Sequence, residues 1–142
     1  MRFVLLGLLV AVALSGRAQD VAPAMTVPVK ATVLLEKMRK QTLAAVVVGK
    51  RPDSLPAETR PLLNKILLQS ATDFLAITTR KPTKEAYLQS LDAGLSRLNP
   101  LISQVEDRQQ VAEYYQDLLE IVGLESSEGR LAAFVAHTGK DE

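Results

Sequence analysis

Residues 58–78 read ETRPLLNKILLQSATDFLAIT. Leu62, Leu63, Ile66, Leu67, Ser70, Ala71, Phe74 and Ile77 recur at three- and four-residue spacing, the period of one helix face. Pro61 fits only the first turn, where its missing N–H costs nothing. The apolar stripe is wide, so the spacing predicts a helix at the centre of the core.

The segments on either side read the same way. Upstream, a helix begins near Lys30, with Leu34, Leu35, Met38, Thr42, Ala45 and Val46 inward and Glu36, Lys37, Arg39 and Lys40 outward. The run Ala44–Val48 is open to two readings. Three consecutive valines weaken a helix and suit a short strand, whereas Gly49 as a residue just past a helix end favours the helix. Residues 50–56 form a loop. Downstream, Thr83 caps a third helix carrying Tyr87, Leu88, Leu91, Leu95 and Leu98, which Asn99-Pro100 stops. Residues 100–106 are a connector. Asp107 and Gln110 resemble a capping box for a fourth helix over 108–122, ended by Gly123. Ser126 or Ser127 caps a last helix over 128–137. The expected fold is all-α, a compact bundle of about five helices.

The N-terminus reads as an export signal. Arg2 precedes the apolar run Phe3–Leu14, and Gly16 and Ala18 supply small residues at a cleavage point after Ala18. The run is shorter than the roughly 20 residues that span a bilayer, so no permanent membrane anchor is expected. The chain therefore divides into a signal peptide (1–18), a flexible lead-in with Pro23 and Pro28 (19–29) and a single helical domain (30–142). Sec export to the periplasm or the medium of a bacterium follows.

Composition removes many chemistries. The 142 residues hold no Cys and one His, which excludes disulfides, thiol catalysis, Cys-ligated metals and multi-His metal sites. The glycines form no phosphate-cradling loop. Ser126 and Ser127 lie in no strand–turn–helix elbow and read as caps. His137, in the last turn of the last helix, suits the dipole there. Tyr87, Tyr114 and Tyr115 read as core-rim residues with wet hydroxyls. No catalytic residue, cofactor or metal ligand set is expected, and an enzyme is not.

The segments Ile121-Val122-Gly123-Leu124-Glu125-Ser126-Ser127-Glu128-Gly129, Lys81-Pro82-Thr83-Lys84-Glu85-Ala86-Tyr87 and Glu106-Asp107-Arg108 carry a resemblance. Over roughly residues 30–137 the chain resembles a family of small bacterial proteins catalogued as domain of unknown function 4844. The resemblance implies a compact helical domain, often behind an export signal, and transfers no catalytic residue.

Charge is the feature that points to a surface. Residues 30–84 carry 11 Lys or Arg against 4 acids, and residues 85–142 carry 4 against 11, so the halves stand at +7 and −7. Two readings stay open: the halves neutralise one another, within a monomer or by self-association, or an acidic face meets a basic partner protein. Glu113, Asp117 and Glu120 share one helix stripe at i, i+4 and i+7 and are the candidate partner-binding residues. Nucleic acid is not expected, because the processed chain is near neutral and poor in aromatics. The expected function is an interaction module, whether binder, inhibitor or immunity-like protector. The alternatives are a binder of a small apolar ligand or lipid, and an enzyme of unfamiliar type.

Overall fold

A computed structural model describes residues 24–51 and 55–137. The expected signal peptide, the first part of the lead-in and the C-terminal tail lie outside the described residues. Those described form five α-helices and no strand: α1 (Ala31–Ala44), α2 (Thr59–Thr79), α3 (Lys84–Leu98), α4 (Val105–Ile121) and α5 (Arg130–Ala136). A 3-10 turn, Asn99–Leu101, links α3 to α4.

The stripe quoted above is the core of α2. Leu63, Leu67, Ala71 and Phe74 are fully buried, and Ser70 nearly so. Full burial of a Leu or Phe side chain is worth about 1.5–3 kcal/mol. Leu62 departs from the expected face and is half exposed. α1 packs on α2, α2 on α3, α5 on α4, and α1 also lies along α4. The Phe74 and Tyr87 rings meet at 5.0 Å across the α2–α3 seam. Ahead of α1, the Met25 N–H donates to the Pro82 carbonyl at 2.8 Å, and Met25 and Val27 pack against the core.

Element boundaries differ from the sequence expectation at three places, the end of α1 and the starts of α4 and α5. α1 stops at Ala44, and Ala45 is extended with φ −155° and ψ 151°, so Val46–Val48 is neither helix nor strand. Asn64 of α2 explains the exit. Its Nδ2 donates to the Thr42 carbonyl at 2.7 Å, and its Oδ1 accepts from the Val47 N–H at 3.2 Å. One amide side chain thus supplies partners to an orphan carbonyl at the helix end and to an N–H of the exiting chain. Gln110 Oε1 accepts from the Gly49 N–H at 3.3 Å, and Val48 is buried.

The second difference is at α4, which begins at Val105 and takes Asp107 into its first turn. The N-cap position falls on Gln104 and not on Asp107. Asp107 is fully buried, with Arg51 Nη2 at 3.5 Å from its Oδ1. The Thr83 cap holds, whereas α5 starts at Arg130 with Gly129 as its N-cap, so Ser127 serves that helix from two residues before the cap. Thr83 Oγ1 accepts from the Ala86 N–H at 3.1 Å, and Ser127 Oγ accepts from the Leu131 N–H at 3.1 Å. Gly123, at φ +87°, ends α4 in the left-handed conformation, where Leu124 N–H donates back to the Leu119 carbonyl at 2.8 Å.

The tyrosines also differ from expectation, because their hydroxyls are dry. Tyr87 and Tyr115 are fully buried and Tyr114 nearly so. Each hydroxyl meets a Ser or Thr: Thr78 with Tyr87 at 2.7 Å, Ser70 with Tyr115 at 2.6 Å, and Thr42 with Tyr114 at 2.7 Å. Burial pushes the Tyr114 phenol up to about 12 and raises that of Tyr115 further, against the lowering effect of their hydroxyl partners.

Candidate functional site

α4 carries alternating inner and outer stripes because its residues pass the core every three or four positions. Val111, Tyr114, Tyr115, Leu118 and Leu119 face inward. The outer positions leave Glu113, Asp117 and Glu120 exposed on one side, as the spacing predicts. Among the described residues none of the three carboxylates lies within 4.0 Å of a cationic nitrogen. Partial desolvation, then the charges of Glu120 and Glu113, hold the Asp117 carboxyl above its ordinary value.

The positive and negative halves do meet elsewhere. Arg51 approaches Asp107, and Lys84 pairs with Glu128. Neither contact reaches the stripe, so its repulsion is not relieved by an ion pair from the basic half.

The α1–α4 seam gives the stripe its surroundings. Asp117 stands between two hollows. One, of about 300 Å³, has Leu34, Met38 and Ile121 as apolar walls and Asp117 and Glu120 as its acidic edge. The other, of about 380 Å³, is formed by Val47, Val48 and Gln110 with Glu113, Asp117 and Lys50. Lys37 borders the first hollow. These α1 and loop residues were not legible as site residues. Leu34 reads as core in the sequence, yet it is 40% exposed because α1 turns its Leu35 side to the core and leaves Leu34 at the seam.

The arrangement suits a basic side chain. An aliphatic stem can lie on Leu34, Met38 and Ile121 while its cationic head meets Asp117 and Glu120. His137 is elsewhere, at the C-terminal end of α5 beside Asp92, Ser96 and Arg130. Ser126 Oγ accepts from the Glu128 N–H at 3.0 Å and Ser127 Oγ from the Leu131 N–H, so both hydroxyls serve nearby backbone N–H groups. Among the described residues, no group of three or more His, Asp or Glu is clustered for metal binding, and no helix is long and apolar enough to cross a membrane.

No curated protein matches the chain. Among solved structures, the crystal structure of a DUF3571 family protein from Acinetobacter baumannii AYE is similar. It shares 32% identity, the match covers 75% of this chain and 91% of that one, and the TM-score is 0.61. With residues 26–139 matching the family model described as Domain of unknown function (DUF4844), nearly the whole described structure falls inside one family, and the chain belongs to it.

Proposed function

We propose that the protein is an exported interaction module that holds a basic partner protein on the acidic stripe of α4. In this reading it binds and does not catalyse, and its place is the periplasm or the medium. The observation that carries the proposal is geometric: Glu113, Asp117 and Glu120 stand on one exposed stripe, and among the described residues none has a cationic nitrogen within 4.0 Å. A cationic partner relieves the repulsion among them on binding. Exposed ion pairs are worth only about 0–1 kcal/mol each. The apolar walls of the adjoining hollow therefore contribute to affinity, and the charges mainly to encounter rate and partner choice.

The test is capture from the cell envelope of the native host, with the full chain as bait, at low and at physiological salt. The triple variant Glu113→Gln, Asp117→Gln, Glu120→Gln is expected to keep its fold and lose the basic partner. Unchanged capture at both salt concentrations removes the stripe as a site.

A second reading is favoured by a separate observation. An open groove of about 870 Å³ runs between α1 and α2, where Val33, Leu75 and Ala76 meet the stems of Lys37 and Lys40. It has the size and apolar character of a small-ligand site. Lipid retained in a native mass spectrum supports this reading, and a bare protein mass counts against it.

A further inference from the structure

The groove between α1 and α2 has a chemistry as well as a size. Val33 on α1 and Leu75 and Ala76 on α2 give it apolar walls. Its α2 threonines add little polarity. Thr72 Oγ1 donates to the Leu68 carbonyl at 2.9 Å and Thr79 Oγ1 to the Ala76 carbonyl at 3.1 Å, so each hydroxyl proton is spent within α2. The acid among the lining residues, Glu36, is occupied too. Arg39 holds both of its oxygens, with Nε on Oε2 at 3.2 Å and Nη2 on Oε1 at 2.5 Å.

Lys37 and Lys40 in the same lining stand differently. Both are exposed, and among the described residues neither ammonium has a carboxylate oxygen within 4.0 Å. They lie four and seven residues past Val33, about 6 and 10 Å along the helix at about 1.5 Å per residue. The α1 wall is therefore polarised along its length, apolar at Val33 and cationic at Lys40. Packed helices stand about 8–10 Å apart, which leaves a trough one alkyl chain wide.

We propose that this groove binds a single-chain amphiphile with an anionic head, a fatty-acid carboxylate, its chain along Val33, Leu75 and Ala76 and its head at Lys37 and Lys40. Burial of the chain supplies most of the affinity, and the two ammonium groups select the sign of the head. A neutral head leaves them unpaired, and a cationic head meets them with like charge. The inference rests on the small-ligand reading given above and adds the charge of the ligand, so it can fail while that reading stands.

The experiment is calorimetric titration of the full chain at neutral pH with dodecanoate, dodecanol and dodecylamine, each below its micelle concentration. Exposed charge pairs are worth up to about fivefold in affinity each. Wild type is therefore expected to bind a single dodecanoate about tenfold more tightly than dodecanol, with dodecylamine weaker still. The double variant Lys37→Gln, Lys40→Gln should lose that preference and keep its binding of dodecanol. Val33→Glu sets a carboxylate against the chain and should lose dodecanoate. All three positions are exposed, and unchanged melting temperatures show that both variants are folded. Three results overturn the proposal. Equal binding of the acid and the alcohol by wild type removes the anionic head and leaves the small-ligand reading. A preference for the acid that survives in the double variant puts its site elsewhere. No saturable binding of any probe removes both readings and gives the groove to a segment of protein.

Discussion

The hydroxyls of Ser70 on α2 and Tyr115 on α4 lie 2.6 Å apart in the buried centre, and Gly94 of α3 closes over them. A Cβ at position 94 would stand 2.1 Å from the Tyr115 hydroxyl and 2.7 Å from that of Ser70. Three helices are thus pinned at one point by a missing methyl group and a hydrogen bond. Gly94→Ala is expected to cost about 1–3 kcal/mol by overpacking. The cost should shrink in a Tyr115→Phe background, which removes the clashing oxygen. A double-mutant cycle in urea reads this as a coupling of about 0.5–3 kcal/mol. Additive changes would show that the two positions do not touch.

Leu67 and Phe74 are both fully buried on α2. Leu67→Ala is expected to cost about 2–5 kcal/mol and Phe74→Ala about 3–5. A domain of this size has only about 5–15 kcal/mol in total, so either variant should melt well below wild type. Two variants with the wild-type melting temperature would place the core elsewhere.

Alkaline pH should destabilise the fold through its tyrosines. Tyr114 is raised from 10.0 to about 12 in the folded chain, with burial the leading cause. Below pH 10 the phenol is neutral in both states and this group leaves stability unchanged. Above it the unfolded chain releases the proton first, so stability falls with pH until the folded phenol ionises near 12. At about 1.4 kcal/mol per unit the loss from Tyr114 alone is about 2–3 kcal/mol. Tyr114→Phe should flatten this limb of the stability profile. An equally steep loss between pH 10 and 12 in that variant would assign it to other groups.

Arg108 is buried and holds neutral partners. Its Nε donates to the Ile102 carbonyl at 3.0 Å, its Nη1 to the Phe134 carbonyl at 2.7 Å and its Nη2 to the Asn99 carbonyl at 2.9 Å. Its guanidinium carbon lies 4.5 Å from the Phe134 ring centroid. Arg108→Met keeps the bulk and takes its donors away from these three backbone carbonyls and from Asn99 Oδ1, which accepts from Nη1 at 2.9 Å. About 2–5 kcal/mol is expected from the desolvation cost of those carbonyls, together with faster hydrogen exchange in α5. Wild-type exchange rates there would show that α5 docks without the guanidinium.

Much of this architecture was legible because it is local. The α2 stripe, the Thr83 cap and the Gly123 stop are each written within a few residues, and each is present. The end of α1 was not legible, since it is set by Asn64, 22 residues beyond Thr42. Asp107 is not the N-cap because α4 starts two residues before it, and the Arg51 that approaches it comes from a loop far back in the chain, which no local pattern reveals. The acidic stripe could be read from spacing, but its hollows could not. They need Leu34 and Met38 beside Ile121, a juxtaposition made only when α1 lies along α4.

That juxtaposition has a kinetic consequence. α1 packs on α2, α2 on α3 and α5 on α4, each with its sequence neighbour. Short-range contacts of this kind form on the fast side of the folding spectrum. The α1–α4 seam spans some sixty residues from Ala44 to Val105, and its closure carries a loop entropy that the neighbouring pairs do not. The acidic hollows consequently belong to the finished fold alone. A chain that is only partly folded offers the carboxylates but not the walls beside them. A probe that needs both the carboxylates and the apolar walls thereby reads whether folding is complete.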